Sequence, residues 1–193
     1  MAGVLRSVVV ASAVGGDGEP EAPPQVFVDA VEGFPVWDGR GDCVVRADRL
    51  LTALGVGDSD KRGDWLWGAG AGAGAGSGVT VVSLAARLGG VFTPATVGDV
   101  ARLGKGQSTL VYRRDVSSPQ HVVVVHRSVE GHWWLVQAQA SEVAERVVRF
   151  DPTVEGRAEE VLGRLILVPA DAHGRLLSVG DGGQVTTGDP VTG

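Results

Sequence analysis

The chain has 193 residues, a length that suits one domain with loose ends. Hydrophobic residues make up 44 %, enough for a packed core, while a formal net charge of −6 and scattered Lys and Arg exclude the clustered basic face that nucleic acid binding requires. A single cysteine excludes an internal disulfide and a zinc site of paired thiolates, and His121, His126, His132 and His173 lack metal-ligand spacing, so no metal and no other cofactor is expected.

No segment is long enough and apolar enough to span a bilayer. Val4 to Val14 is apolar apart from Arg6, and it reads as an opening strand or arm rather than a signal segment, because the charged n-region is missing. Production in the cytoplasm is expected. Residues 1–24 form a flexible arm in this reading, residues 25–172 the domain and residues 173–193 a flexible tail rich in Gly, Thr and Asp. Gln25 to Val31 reads as a short strand. Cys43 to Leu54 reads as a helix, with Cys43, Ala47, Leu50 and Leu54 on one face, Arg46, Asp48 and Arg49 on the outer side, Asp42 as N-cap and Gly55 as terminator. Residues 68–78 alternate Gly with Ala or Ser and predict a surface loop, its base pinned by Trp65 and Trp67. Val79 to Leu88 predicts a helix, and Thr93-Pro94 predicts the start of another that runs to Leu103.

After the turn Gly104 to Gly106 the pattern changes to strands: Thr109 to Tyr112, His121 to His126, Trp133 to Ala138, Arg146 to Phe150 and Arg164 to Val168. Helices first and antiparallel strands second is an α+β order. Trp133 and Trp134 alternate in facing, so one of them is free to line a substrate groove, and Arg113 with Arg114 reads as a solvated edge-strand pair.

Thiol acyl-transfer chemistry needs a thiolate at a helix start, an imidazole to take its proton and a polar group to orient the imidazole. The sequence supplies that order in Cys43, His121 and Gln137. A five-residue loop from Arg127 to Gly131 would pair His126 with His132 and set His121 opposite Gln137 on one face. A rival pairing uses His132 and Asp151, in Gly131-His132 and Phe150-Asp151-Pro152.

The run Leu103 to Gly106, the strand Ser108 to Arg113, then His121 to Val125 and Leu135 to Gln139 resemble the papain-fold glutamine deamidase toxin domains of bacteria, within the papain-like cysteine enzymes. Asp42-Cys43 stands where that family has an Asn-Cys dipeptide opening a helix. The resemblance covers about residues 40–55 and 93–170. It implies a papain-like α+β fold, with the Cys-bearing helix packed on a C-terminal antiparallel sheet. It also implies a Cys43 nucleophile, a His121 base, Gln137 as orienting group, and Gln139 and Trp134 at the substrate. The implied reaction is deamidation of a glutamine side chain on a target protein, as an effector or toxin, with secretion or delivery following synthesis and an immunity or chaperone protein as a further partner. Gln120 stands where the family has Gly, Gln137 where it has Asp, and Asp42 where it has Asn. A Gln orients an imidazole without stabilising the imidazolium, and Asp42 opposes a thiolate. Two alternatives follow: a cysteine peptidase of the same fold, and a catalytically inactive protein-binding module.

Overall fold

The computed structural model describes residues 22–34, 43–57, 81–113, 121–137, 146–154 and 157–193. Asp42, Gln120, Gln139, Arg114, the 68–78 loop and nearly all of the 1–24 arm lie outside the described residues. The helices are α1 (Gln25–Glu32), α2 (Cys43–Ala53), α3 (Val81–Arg87), α4 (Val97–Ala101) and α5 (Arg157–Leu162). The strands are β1 (Val91–Ala95), β2 (Gln107–Arg113), β3 (His121–Arg127), β4 (Trp133–Val136), β5 (Val147–Phe150), β6 (Ile166–Ala170), β7 (Arg175–Val179) and β8 (Val185–Pro190).

The strands form one antiparallel sheet of eight, so the chain is α+β. The order is β1-β6-β7-β2-β3-β4-β5, with β8 on β7 and a second pairing of β6 with β2. One edge of β2 is therefore shared: its start meets β7 through Ser108 and Val179, and its end meets β6 through Tyr112 and Leu167.

Strand alternation sorts the sheet side chains into two cores. On one face Leu110, Tyr112, Val122, Val124, Trp134 and Val136 pack against Phe27 and Val31 of α1, Leu50 and Leu51 of α2 and Leu84 of α3. On the other face Val111, Val123, Val125, Trp133 and Leu135 pack with Val100 of α4 and Leu162 of α5. A sheet buried on both faces gives continuous apolar runs such as Val122 to Val125. It also leaves neither tryptophan exposed. Trp134, expected to wall a substrate groove, is 3 % exposed inside the first core.

Several sequence expectations are corrected. Residues 25–31 form helix α1 rather than a strand, because Phe27 and Val31 recur at helical spacing and both are buried. Thr93-Pro94 does not open a helix. Both lie in β1, the edge strand, where a proline costs no ladder bond on its open side. The helix begins after Thr96, whose hydroxyl caps Asp99 N–H while the Asp99 carboxylate accepts the Thr96 N–H. The 173–193 tail carries β7 and β8: Leu176, Leu177 and Val179 are core residues, and the Asp171–Gly174 turn is closed by Asp171 accepting from His173 and Arg175. Arg46 and Asp48, expected on the outer side of α2, are each 3 % exposed. They are covered because α2 is flanked by α1 and α3: Arg46 lies over the Phe34 ring, and Asp48 pairs with Arg87 of α3.

Candidate functional site

Cys43 is the first residue of α2. The far end of that helix is fixed by Gly55 at φ +85°, with Val56 N–H donating to Leu51 O and Gly55 N–H to Thr52 O, the two bonds of a Schellman motif. Arg87 then clamps the last turns: its guanidinium donates to Asp48 O at 2.8 Å and Thr52 Oγ1 at 2.9 Å, and also bonds the Asp48 carboxylate and Val56 O.

Two observations give the direction of α2 on the sheet. Its C-terminal Ala53 and Leu54 share a cavity wall with Ser108 and His126, at the end of β3. Its first turn lies at the other end, where Arg46 covers the Phe34 ring and the Arg146 guanidinium donates to Phe34 O. Arg146 in turn accepts the Gln137 N–H at 2.7 Å, so it marks the end of β4. The eleven residues of α2 span about 16 Å, and the five steps from His126 back to His121 span about 17 Å. The first turn of α2 therefore lies towards the end of the sheet at which β3 begins and β4 finishes.

The register there differs from the expectation. His126 pairs with Trp134, not with His132, and the connecting loop is Ser128 to His132. Ser128 N–H donates to His132 O, His132 N–H to Ser128 Oγ and Gly131 N–H to Ser128 O, which holds the five-residue loop in place. The shift of two residues moves Gln137 level with Val123 while leaving it on the same side of the ladder as His121.

Alternation also assigns His121 to the face of Val123 and Val125, whereas α2 packs on the face of Val122 and Val124. The alternation breaks next to this point. Arg146 follows the parity of Val148 and Phe150, yet its guanidinium reaches back to the α1 carbonyls, donating to Val31 O at 2.8 Å and Phe34 O at 3.2 Å. Cys43 itself is 9 % exposed.

The rival pair is not brought to Cys43. His132 and Asp151 flank the Trp133–Phe150 pair, at the opposite end of β4 from Gln137. Asp151 is occupied locally, accepting from Thr153 N–H and Thr153 Oγ1. Among the described residues, no three His, Cys, Asp or Glu side chains gather to hold a metal ion.

Sequence reasoning missed the buried cations around the first turn of α2. Arg46 is 3 % and Arg146 1 % exposed, and Arg49 lies 5.1 Å from the Phe34 ring centre. Burial, then the Arg46 charge, also lowers the Arg49 pKa. An arginine at a strand start or a helix flank carries no sequence signal for burial; only the packing of Phe34 between helices reveals it. No family model, curated protein or solved structure matches the chain.

Proposed function

We propose that the chain is a papain-like, thiol-dependent amide hydrolase that deamidates a glutamine side chain on a target protein, acting as an effector. The observation that supports this reading most is the placement of Cys43, at the start of α2, at the same end of the sheet as His121 and Gln137. In the proposed cycle His121 takes the Cys43 Sγ–H proton and the thiolate adds to the amide carbonyl carbon. Backbone N–H groups at the start of α2 would bind the oxyanion. The protonated imidazole returns its proton to the leaving ammonia, and water then cleaves the thioester with His121 again as base. Gln137 would orient the ring. Arg46, one turn along from Cys43, supplies the positive surroundings that favour a thiolate.

A cysteine peptidase of the same fold uses the same groups and differs in releasing a peptide rather than ammonia. A second reading, a papain-like module that binds protein without catalysis, is favoured by the near-complete burial of Cys43 and by the face that alternation assigns to His121. The deciding measurement is alkylation of Cys43 by iodoacetamide across acid and neutral pH, in the native chain and in His121→Ala. Labelling at acid pH that is lost in the variant, together with ammonia release from a glutamine-bearing protein, is the expected result. Labelling that rises only near the free-thiol value of about 8.5 removes the catalytic reading and leaves the binding module.

A further inference from the structure

A second polar constellation lies at the other end of α2. Ser108 and His126 are directly paired across β2 and β3, and Ser108 Oγ lies 2.9 Å from His126 Nδ1. The His126 ring stacks edge-on against Phe27 at 5.1 Å. Beside this pair is a cavity of about 180 Å³, walled by Val26 of α1, Ala53 and Leu54 of α2, and Asp181 of the turn after β7. That turn is built for close approach. Gly182 and Gly183 have φ of +72° and +78°, and a Cβ on Gly183 would sit 2.2 Å from Gly55 O. The turn is thereby pressed against the C-terminus of α2, and Asp181 is carried to the mouth of the cavity.

The electrostatics of this cavity have one sign. The C-terminus of an eleven-residue helix presents the negative end of its dipole. Asp181 adds a carboxylate, and among the described residues no Lys or Arg lines the space. Burial lowers the His126 pKa, and the Asp181 charge restores only part of it, so the ring adds no positive charge at neutral pH. In the tautomer whose Nδ1–H donates to Ser108 Oγ, the neutral ring offers Nε2 as an acceptor for an ammonium. Ser108 is not placed to act as a nucleophile, since it is 2 % exposed and held within the ladder.

We propose that this cavity is a binding site for a small organic cation, a primary ammonium on a short apolar stem. The ammonium lies between Asp181, the His126 ring and the α2 C-terminus, and the stem lies against Val26, Ala53 and Leu54. A cavity of this size takes a molecule of several heavy atoms rather than a bare water. The site is independent of Cys43, which lies a full helix length away.

The test is a titration of the full chain with butylammonium, followed by backbone amide shifts in two-dimensional NMR. Butan-1-ol serves as the neutral isostere and butyrate as the anionic one. Saturable shifts at Leu54, Gly55 and Gly180 to Gly182 with butylammonium are expected, with at least about fivefold weaker binding for the alcohol and the acid. Asp181→Asn, at an exposed position, is expected to weaken butylammonium by about fivefold with the rest of the spectrum unchanged. Equal binding of the alcohol, an unaffected Asp181→Asn variant, or shifts that never saturate each overturn the proposal.

Discussion

Removing the carboxylate of Asp48 takes an ion-pair partner from a buried guanidinium. The side chains of Arg87 and Asp48 are 5 % and 4 % exposed, and the pair joins α3 to the middle of α2. Arg87 also donates to Thr52 Oγ1 and to the carbonyls of Asp48 and Val56, so Asp48→Ala leaves it hydrogen-bonded but removes the Asp48 carboxylate from beside it. Breaking a buried pair from one side costs about 3–5 kcal/mol, which is about a fifth or more of the about 5–15 kcal/mol that stabilises a domain. Replacing both partners, as in Asp48→Leu with Arg87→Met, removes the stranded charge and is expected to recover more than half of the loss. The assay is urea unfolding of the native chain, the single variant and the double variant, read by tryptophan fluorescence. Because α2 carries Cys43 at its first residue, Cys43 alkylation in the single variant should lose its dependence on His121 at urea concentrations below the global midpoint. A single variant that loses less than about 1 kcal/mol would refute the reasoning, since it would mean that water or another group neutralises Arg87.

Three other outcomes follow from the structure. Burial holds the folded His126 pKa below its ordinary value, so the unfolded chain binds the extra proton first; the stability this gives is fully present above the unfolded value of about 6.5 and is lost as pH falls through the folded one. Urea midpoints taken between about pH 8 and about pH 5.5 should therefore fall more steeply in the native chain than in His126→Gln, and parallel slopes would sink the assignment. Burial would raise the Asp99 pKa, but hydrogen bonds from Thr96 and Thr192 together hold it below its ordinary value. Its contribution is present above about pH 3.9 and lost as pH falls through the folded value, so Asp99→Asn should flatten the acid limb of the stability curve; an unchanged limb counts against it. Gly183→Ala combines a left-handed backbone with a Cβ 2.2 Å from Gly55 O and should cost about 2 kcal/mol or more, while Gly89→Ala, at φ +82° with nothing within 4 Å, should cost only the backbone strain of about 1 kcal/mol. Equal unfolding midpoints for these two variants would show that the turn does not press on α2.

The sequence announced what depends on local pattern. Helix α2 and strands β2 to β6 fall close to their expected ranges, because alternation, apolar runs and a Gly stop are properties of neighbouring residues. It did not announce what depends on distant neighbours. The strand β7 in Arg175 to Val179 is short and precedes a Gly-rich turn, and it is pairing with β2, β6 and β8 that builds Leu177 and Val179 into the core. Thr93-Pro94 has the chemistry of a helix start, yet pairing with Val168 and Leu167 across the sheet edge outweighs that local preference. The β3–β4 hairpin was foreseeable from the sequence, but its register was not. Loops ending at Gly131 and at His132 have the same parity, and the apolar pattern alone does not separate them.

The double covering of the sheet restricts where any substrate can meet Cys43. Helices α1 to α3 occupy one face and α4 with α5 the other, and Trp133 and Trp134 are spent on those two cores. Among the described residues, the sheet faces are covered, which leaves the end of the sheet where α2 begins, β4 finishes at Val136 and Arg146 reaches across to the end of α1. Strict alternation keeps the sheet between His121, which pairs with Arg113 in the regular β2–β3 ladder, and the α2 layer, so the proposed chemistry requires the start of β3 to turn out of that ladder. The catalytic reading and the binding reading thus turn on the same short stretch of backbone, and the His121 dependence of thiol reactivity reads it directly.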